Sequence, residues 1–498
     1  LNILVATSEA APFAKTGGLA DVCGALPVAL AQRGHQVAVI LPAYRQTRHC
    51  GVPLHPLNLR FDIPIGNRIV SGRLLESRLP DSNVPVYLVE HHDYFDRQEL
   101  YREGGDDYRD NCERFVFFSR AVLEAIRLLK WPIDVLHVND WQTGLIPAYL
   151  KIEYCHTRGY EQIASLFTIH NMAYQGLFWH WDMLVTGLDW KYFNYRQLEF
   201  YGKLNLLKTG IVFADTITTV SPRYAQEIQT PEQGCGLESV LAGRAADLHG
   251  VLNGVDYREW DPAHDKRLPV QYGPANWAHG KAACKMALQR EMGLPARPEV
   301  PLLGLVGRLA DQKGLDLVEQ VLSRWVGPED VQWVILGTGE PKYHELFAQL
   351  SRNHGHKVAA KLSFNNDLAH RIEAGSDVFV MPSRYEPCGL NQMYSLRYGA
   401  VPVVRATGGL ADTIIDATPE NLAAGVANGF VFQDYHDGAL EHALRRACNA
   451  YRTQPKVWDR LVTTGMKQDV SWAKSAKRYE ELYTRAIETR RTRGCAPA

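Results

Sequence analysis

Charge of neither sign is in excess. Lys and Arg number 54 against 55 Asp and Glu, and no long like-charge block breaks the balance. Nothing in it marks a footprint for nucleic acid or an anionic membrane, so any basic site has to be local. Cysteine pairs at metal-binding spacing are missing as well. The nine cysteines scatter from Cys23 to Cys495 without one C-x-x-C, which argues against a structural zinc site and against a disulfide framework, and leads to the expectation of a reducing compartment. No apolar stretch is long enough to cross a bilayer, and no basic region precedes the apolar run Leu1 to Val5, so a soluble, non-exported protein with no membrane partner is expected. A D-x-D pair, used by metal-dependent sugar transferases with one nucleotide-binding domain, does not occur. Nor does H-E-x-x-H or G-x-x-x-x-G-K-[ST], and the expectation is therefore no metal and no Walker-type hydrolysis.

What is present is enough chain for two cores. The sequence has 498 residues, 46% of them hydrophobic, and single cores stop growing near roughly 250–300 residues. Short β-branched runs alternate with helical segments at Ile3–Thr7, Gln36–Leu41, Val86–Val89, Val135–Val138, Ser165–Ile169 and Thr216–Val220. After a Pro- and charge-rich stretch the pattern restarts at Leu302–Val306, Gln332–Leu336, Asp377–Met381 and Val401–Val404. Buried parallel strands read this way, so the fold class is α/β with two doubly wound domains and a hinge near Asn253 to Pro262. The boundaries expected are 1–255, 256–475, and a C-terminal helix over 476–498 that crosses back to the first domain. That last segment carries Trp472, Ala476, Tyr479, Tyr483, Ala486 and Ile487 at helical spacing, a stripe in need of a surface. An internal echo supports the symmetry: Thr16-Gly17-Gly18-Leu19-Ala20-Asp21 recurs as Thr407-Gly408-Gly409-Leu410-Ala411-Asp412.

Ligands of open α/β sheets bind beyond the carboxyl ends of the strands, and the residues there are polar. Lys15 precedes Gly17 and Gly18 at the start of a helical run, where paired glycines and free N–H groups suit a diphosphate, although a tight turn with a solvated lysine reads the same alone. Arg308 and Lys313 follow a buried strand and would grip a pyrophosphate and neutralise charge as it leaves; a salt-bridged surface loop is the bland alternative. Glu386, in Arg384-Tyr385-Glu386-Pro387-Cys388-Gly389-Leu390, opens a helix and could accept from sugar hydroxyls or simply favour the helix dipole, with Asn391 and Gln392 next to it. Asp140 and His170 end two strands of the first half. An Asp followed by Trp141 could bind a hexose while the indole covers its face, and a strand-end His offers a ring donor, but capping or core-edge roles are as open. From Tyr174 to Tyr201 aromatic residues are dense, which suits glucan stacking and ordinary packing alike.

With Lys15 to Asp21, His137 to Trp141, Thr168 to Asn171, Leu252 to Asp256, Arg308 to Gly314, Ser383 to Leu390 and Thr407 to Asp412 in this order, the chain resembles bacterial glycogen synthases and plant starch synthases from about Leu1 to about Tyr483. The resemblance implies the GT-B fold, two Rossmann-like domains facing across a deep cleft. It also implies retaining transfer of glucose from ADP-glucose to the non-reducing 4-hydroxyl of an α-1,4-glucan. Lys15, Gly17 and Gly18, with Asp21, would meet the phosphates and donor sugar, and Arg308 and Lys313 would stabilise the leaving diphosphate. Asp140, His170, Asn253 and Glu386 would hold the donor glucose, with Cys388, Gly389, Leu390 and Asn391 in the same donor site and Thr407, Gly408 and Gly409 adding backbone donors.

Two positions depart from related enzymes. Met393 stands seven residues after Glu386, where many retaining GT-B enzymes carry a second Glu, and Phe95 stands where a Tyr is frequent. The expected partners are a nucleotide sugar and an α-1,4-glucan, with no cofactor and no nucleic acid. The expected location is cytoplasmic, or plastid stromal if a transit peptide has been removed. A glucan phosphorylase would need a pyridoxal phosphate lysine pocket that no segment resembles, and a silent binding protein would not need Lys15, Arg308, Lys313 and Glu386.

Overall fold

Runs rich in Val, Ile and Leu are stable only where both faces are covered, and these runs are the central strands of the computed structural model, which describes residues 1–495. The chain divides into two units. Unit 1 takes residues 1–220, 225–254 and the segment from Trp472 onward, and unit 2 takes Ser221–Tyr224 and Val255–Ser471.

The sheet of unit 1 contains β1 (Asn2–Ala6), β2 (Gln36–Pro42), β3 (His55–Ile65), β4 (Arg68–Arg78), β5 (Pro85–Glu90), β6 (Val135–Asn139), β7 (Ala164–Ile169), β8 (Thr216–Thr219) and β9 (Leu248–Gly250). Their order across the sheet is β9-β8-β7-β6-β1-β2-β5-β4-β3. Ile3 pairs with Val37 on one side and Val135 on the other, both in parallel. Only β4 and β3 run antiparallel, as a hairpin added at one edge. Sequence reasoning missed that hairpin because its outer strand alternates exposed with covered residues, so no contiguous apolar run marks it.

Unit 2 holds β10 (Leu302–Val306), β11 (Gln332–Leu336), β12 (Val358–Lys361), β13 (Val378–Met381), β14 (Val401–Arg405) and β15 (Phe430–Phe432). All are parallel, in the order β12-β11-β10-β13-β14-β15. β12 and β15, of four and three residues, escaped sequence reasoning because so short a run carries no periodicity.

Each unit anchors the amino ends of its strands with a buried lysine–aspartate pair. Lys151 reaches Asp215 at 2.9 Å just before β8, and Lys285 reaches Asp377 at 2.6 Å just before β13. Asp215 also accepts from the Ser165 amide and hydroxyl, and Asp377 from the Leu302 amide, so each carboxylate ties neighbouring strands together. Charges this deep persist only when paired and hydrogen-bonded. The opposite, carboxyl ends of the strands are left for the loops.

The C-terminal helix, Trp472–Arg493, lays its apolar stripe on unit 1. Tyr483 shares a hydrogen bond with buried His137 of β6 at 2.9 Å, and Glu480 takes both Arg33, at 2.7 and 2.6 Å, and His35. Beyond the helix Cys495 is disulfide-bonded to Cys155, with Cα atoms 5.8 Å apart. The expectation excluded a disulfide framework, and this is a single bond, the other seven cysteines being free; its two residues are 340 positions apart, and only the return of the C-terminal helix to unit 1 brings them together. Among the described residues, Cys155, Cys495 and His156 also form the one His/Cys/Asp/Glu group near enough to share an ion, and its two sulfurs are spent on each other.

Candidate active site

In each unit the strand order reverses at one place, and the crevice of an open α/β sheet lies there. In unit 1 the reversal is between β1 and β6; in unit 2 it is between β10 and β13. The loops after those four strands carry most of the residues singled out above.

After β1 the chain turns through Glu9 to the Lys15-Thr16-Gly17-Gly18 segment, and the helix Gly18–Gln32 follows. Glu9 is buried, and sequence reasoning passed over it. Its carboxylate accepts from the Thr16 amide and hydroxyl at 2.5 and 2.6 Å and from the Gly17 amide at 3.3 Å, while the Tyr101 hydroxyl donates to it at 2.8 Å. The expectation of free N–H groups here is corrected for those two amides. They are committed to a carboxylate, which sets the loop's shape. Lys15 is exposed and pairs with Asp21 at 2.6 Å across the first turn of the helix. Gly17 has open space where a Cβ would project, so a ligand could approach its backbone closely.

Asp140 follows β6 with φ 55° and ψ −177°, a conformation that L-residues seldom adopt. The contact that holds it is with the next strand: its carboxylate accepts from the His170 amide at 2.7 Å. Burial pushes its pKa up to about 7, against the His170 and Asn171 amides that lower it and with a small push from Glu9. His170 is held neutral by burial, with a pKa lowered to about 3. Asn139 donates its amide to the Ala6 carbonyl, so its oxygen faces His170 Nε2 at 2.9 Å, and Nε2 carries the proton. The ring donor expected of His170 is thus used inside the protein, leaving Nδ1 as a hydrogen-bond acceptor. Trp141 does not present an indole face for a sugar: it is buried against Phe115 and Phe178, with ring centroids 4.9 and 5.6 Å away. Phe95 is fully buried beside Tyr44 and makes no surface at all. Asn253 lies just past β9, two strands from β7, buried and with its side-chain oxygen unpartnered.

In unit 2 the loops after β10 and β13 are joined. Lys313 donates to Glu386 at 2.6 Å, and the Ser383 hydroxyl donates to the same carboxylate oxygen at 2.9 Å. The Arg384 amide donates to the Gln312 carbonyl at 2.8 Å, and Asn391 reaches back to the Val306 carbonyl at 2.7 Å. Arg308 is exposed and lies within 3.0 Å of the Gln312 side chain. Gln392 is fully buried, and its amide is taken up by the Cys388 and Gly389 carbonyls. Cys388 is buried as well, whereas Gly389, Leu390 and Asn391 are partly open. The repeat Thr407-Gly408-Gly409 packs beneath Glu386, and the Gly409 amide donates to the Glu386 and Pro387 carbonyls at 3.2 Å each. That amide is therefore not available as a phosphate donor.

The helix Asn391–Tyr398 is positioned from behind by an aromatic stack. Trp260 lies between His370 and Tyr394, 3.7 and 3.8 Å from their ring centroids, and Asp265 accepts from His370 and from the Tyr398 hydroxyl at 2.7 Å. Burial opposes charge on His370, but its hydrogen bond to Asp265 and the Glu259 carboxylate 3.8 Å away outweigh it and raise the pKa above 6.5. Burial alone would raise Asp265, yet the bonds from His370, the Arg267 amide and Tyr398 hold it at about 2. The stabilisation from His370 is complete below pH 6.5 and lost as pH rises through its higher folded value. That from Asp265 is present above pH 3.8 and lost as pH falls towards 2. Denaturant melts should therefore show wild-type stability declining on the alkaline side of pH 6.5 relative to a His370→Asn variant; a constant difference from about pH 5 to about pH 9 would refute the charged pair.

Two doubly wound units, each with a charged crevice at its switch point and one with Arg308, Lys313 and Glu386 beside a buried serine, define a GT-B glycosyltransferase. Residues 2–243 match the family described as starch synthase catalytic domain, and residues 293–458 match glycosyl transferases group 1. The chain is 48% identical to a glycogen synthase of Rhodopirellula baltica over 99% of both chains, and 50% identical to one of Anaeromyxobacter dehalogenans over 97% of this chain and 98% of that one. The catalytic domain of starch synthase IV from Arabidopsis thaliana, solved bound to ADP and acarbose, superposes with a TM-score of 0.90 at 34% identity, covering 98% of this chain and 99% of that one. A sucrose-phosphate synthase from Thermosynechococcus elongatus, at 16% identity and a TM-score of 0.58, shares the fold alone. The chain belongs to the glycogen and starch synthase family. No helix among the described residues is long and apolar enough to cross a membrane.

Proposed function

We propose that this enzyme transfers glucose from ADP-glucose to the non-reducing 4-hydroxyl of an α-1,4-glucan with retention of anomeric configuration. The observation that carries the reading is the Lys313–Glu386 pair at the switch point of unit 2, a cation and a carboxylate held 2.6 Å apart within a family of glucan synthases. ADP and acarbose in the Arabidopsis relative support the nucleotide and glucan classes.

In this reading Arg308 and Lys313 neutralise the diphosphate as its bond to the anomeric carbon breaks. Glu386 accepts hydrogen bonds from the donor glucose, and Asp140, the acceptor Nδ1 of His170 and the unpartnered Asn253 oxygen take sugar hydroxyls. Lys15 with Gly17 and Gly18, close to Asp21, is read as an anion-facing loop of unit 1 suited to phosphates. Met393, fully buried, stands where a second carboxylate would be needed for double displacement. Attack from the donor's own face follows: the acceptor oxygen bonds to the anomeric carbon, and its proton passes to the departing phosphate oxygen. Because two cationic side chains meet the leaving charge, the proposal includes no metal and no organic cofactor.

The test is ADP release from ADP-glucose, against UDP-glucose, with a maltooligosaccharide acceptor and the new linkage determined. Extension through α-1,4 bonds with a chelator present is the expected result. No ADP release, or a β-linkage, refutes the proposal.

A further inference from the structure

One edge of the unit 1 sheet is β3, whose outer side pairs with no strand among the described residues. An open edge of 11 residues is a template for another chain, and proteins commonly blunt such edges. β3 is blunted only towards its ends. Pro56 and Pro64 carry no amide hydrogen, and the register slips between Pro56 and Arg60. Between the slip and Pro64 lies a short regular stretch. Because Gly66 and Asn67 form a two-residue turn after the pair of Ile65 with Arg68, Ile65, Ile63 and Phe61 bond to β4 through their main-chain groups. Asp62 and Arg60, out of phase with these, turn their N–H and C=O groups to the open side, and no other described segment bonds to them there.

We propose that two copies of the chain pair through this edge, β3 lying antiparallel to β3 of the second copy about a two-fold axis at Phe61. In that register Arg60 meets the partner's Asp62 and Asp62 meets the partner's Arg60, so the outward main-chain groups exchange reciprocal hydrogen bonds. The side chains then face each other across the join. Both are exposed on the solvent face, two residues apart, and neither has an ion-pair partner among the described residues. Asp62 accepts only from the neutral Ser71 hydroxyl, at 2.5 Å. Within the hairpin Arg60 stands opposite Arg73, already held by Glu90, and an incoming carboxylate would offset that like-charge neighbour. The axis itself is clear of side chain. The Phe61 ring folds inward over Gly72, its cross-strand partner, where a Cβ would stand 2.6 Å from the ring, and it packs on Phe117 at 6.0 Å. It leans away from the open edge. Pairing about a two-fold axis occupies this edge of both copies at once, so the contact closes as a dimer and does not propagate.

The experiment is sedimentation velocity of the full chain over about 1–100 μM. The ladder is short, and a reversible dimer with Kd in about that range is expected. Arg60→Glu and Asp62→Arg each set like charge against like at both crossings, and each should weaken the dimer by about tenfold or more. Mixing the two single variants should restore pairing as a heterodimer, and Arg60→Glu/Asp62→Arg should again pair with itself. Thermal melts of all variants should match wild type, since the changed residues are exposed. A second measurement needs no variant: hydrogen exchange at the Arg60 and Asp62 amides should slow as wild-type concentration rises. A wild-type chain that stays monomeric throughout overturns the proposal. So do a dimer untouched by either single variant, single variants whose mixture does not pair, and exchange at those amides that ignores concentration.

Discussion

Lys313→Ala is expected to lower kcat by about 10²–10³-fold while moving KM for glucan by less than about threefold. The asymmetry follows from where charge grows. Glucan contacts are made before and during transfer, but the full second charge on the diphosphate develops only as the glycosidic bond to phosphate breaks, and an ammonium aimed at it acts mainly on that state. Lys313 is also the partner of Glu386, which creates a competing explanation: the variant could fail because a buried carboxylate loses its cation. The double variant Lys313→Ala/Glu386→Gln separates the two. If Lys313 only neutralised Glu386, removing the carboxylate's charge would restore turnover. If Lys313 acts on the leaving group, the double variant stays as slow as the single one or slower. Equal kcat with weakened glucan binding in Lys313→Ala would overturn the assignment.

Gly408→Ala should be nearly as damaging, by a different route. The residue has φ 44°, and a Cβ there would sit 1.9 Å from the Glu386 carbonyl oxygen, so both the backbone angle and the space forbid it. The loop carrying Glu386 would have to move, and with it the carboxylate that meets Lys313. Loss of about 2–4 kcal/mol of stability is expected, with activity reduced by more than about 100-fold. Gly17→Ala, at the matching position of the repeated sequence, meets no atom within 4 Å and should leave the melting temperature unchanged. Equal stability of Gly408→Ala and Gly17→Ala in thermal melts would refute the packing argument.

That contrast shows what the sequence made legible and what it did not. The repeated Thr-Gly-Gly-Leu-Ala-Asp suggested two equivalent anion loops. The folded protein uses Gly17 of the first copy to keep space open, and Gly408 and Gly409 of the second to bring two stretches of its own backbone together. Six letters cannot distinguish these uses, because the distinction lies in what approaches from elsewhere. The central strands were readable from β-branched runs, since burial on both faces leaves few polar residues, and those mostly Ser and Thr, to interrupt them. The β3–β4 hairpin obeys another rule, alternation closed by Gly66 at positive φ, and a search for apolar alternation around Gly-Asn would have found it. Candidate residues were legible where they follow a strand, as with Asp140, His170 and Arg308. Their partners were not: Glu9 beneath the Lys15 loop, Asn139 fixing the tautomer of His170, and Ser383 beside Glu386 depend on three-dimensional neighbours. Nor could the sequence tell the buried Trp141 and Phe95 from the exposed Trp179 and Trp181, because all are aromatic residues in polar company.

The helix from Trp472 completes the first unit although it follows the second in the chain. During synthesis the second unit can emerge and close while the surface of β6 around His137 still lacks Tyr479 and Tyr483. A nascent chain stalled near residue 470 would thus carry a finished rear half and an unsealed front half. Premature stops between Trp472 and Arg493 should injure the part of the protein that was translated first.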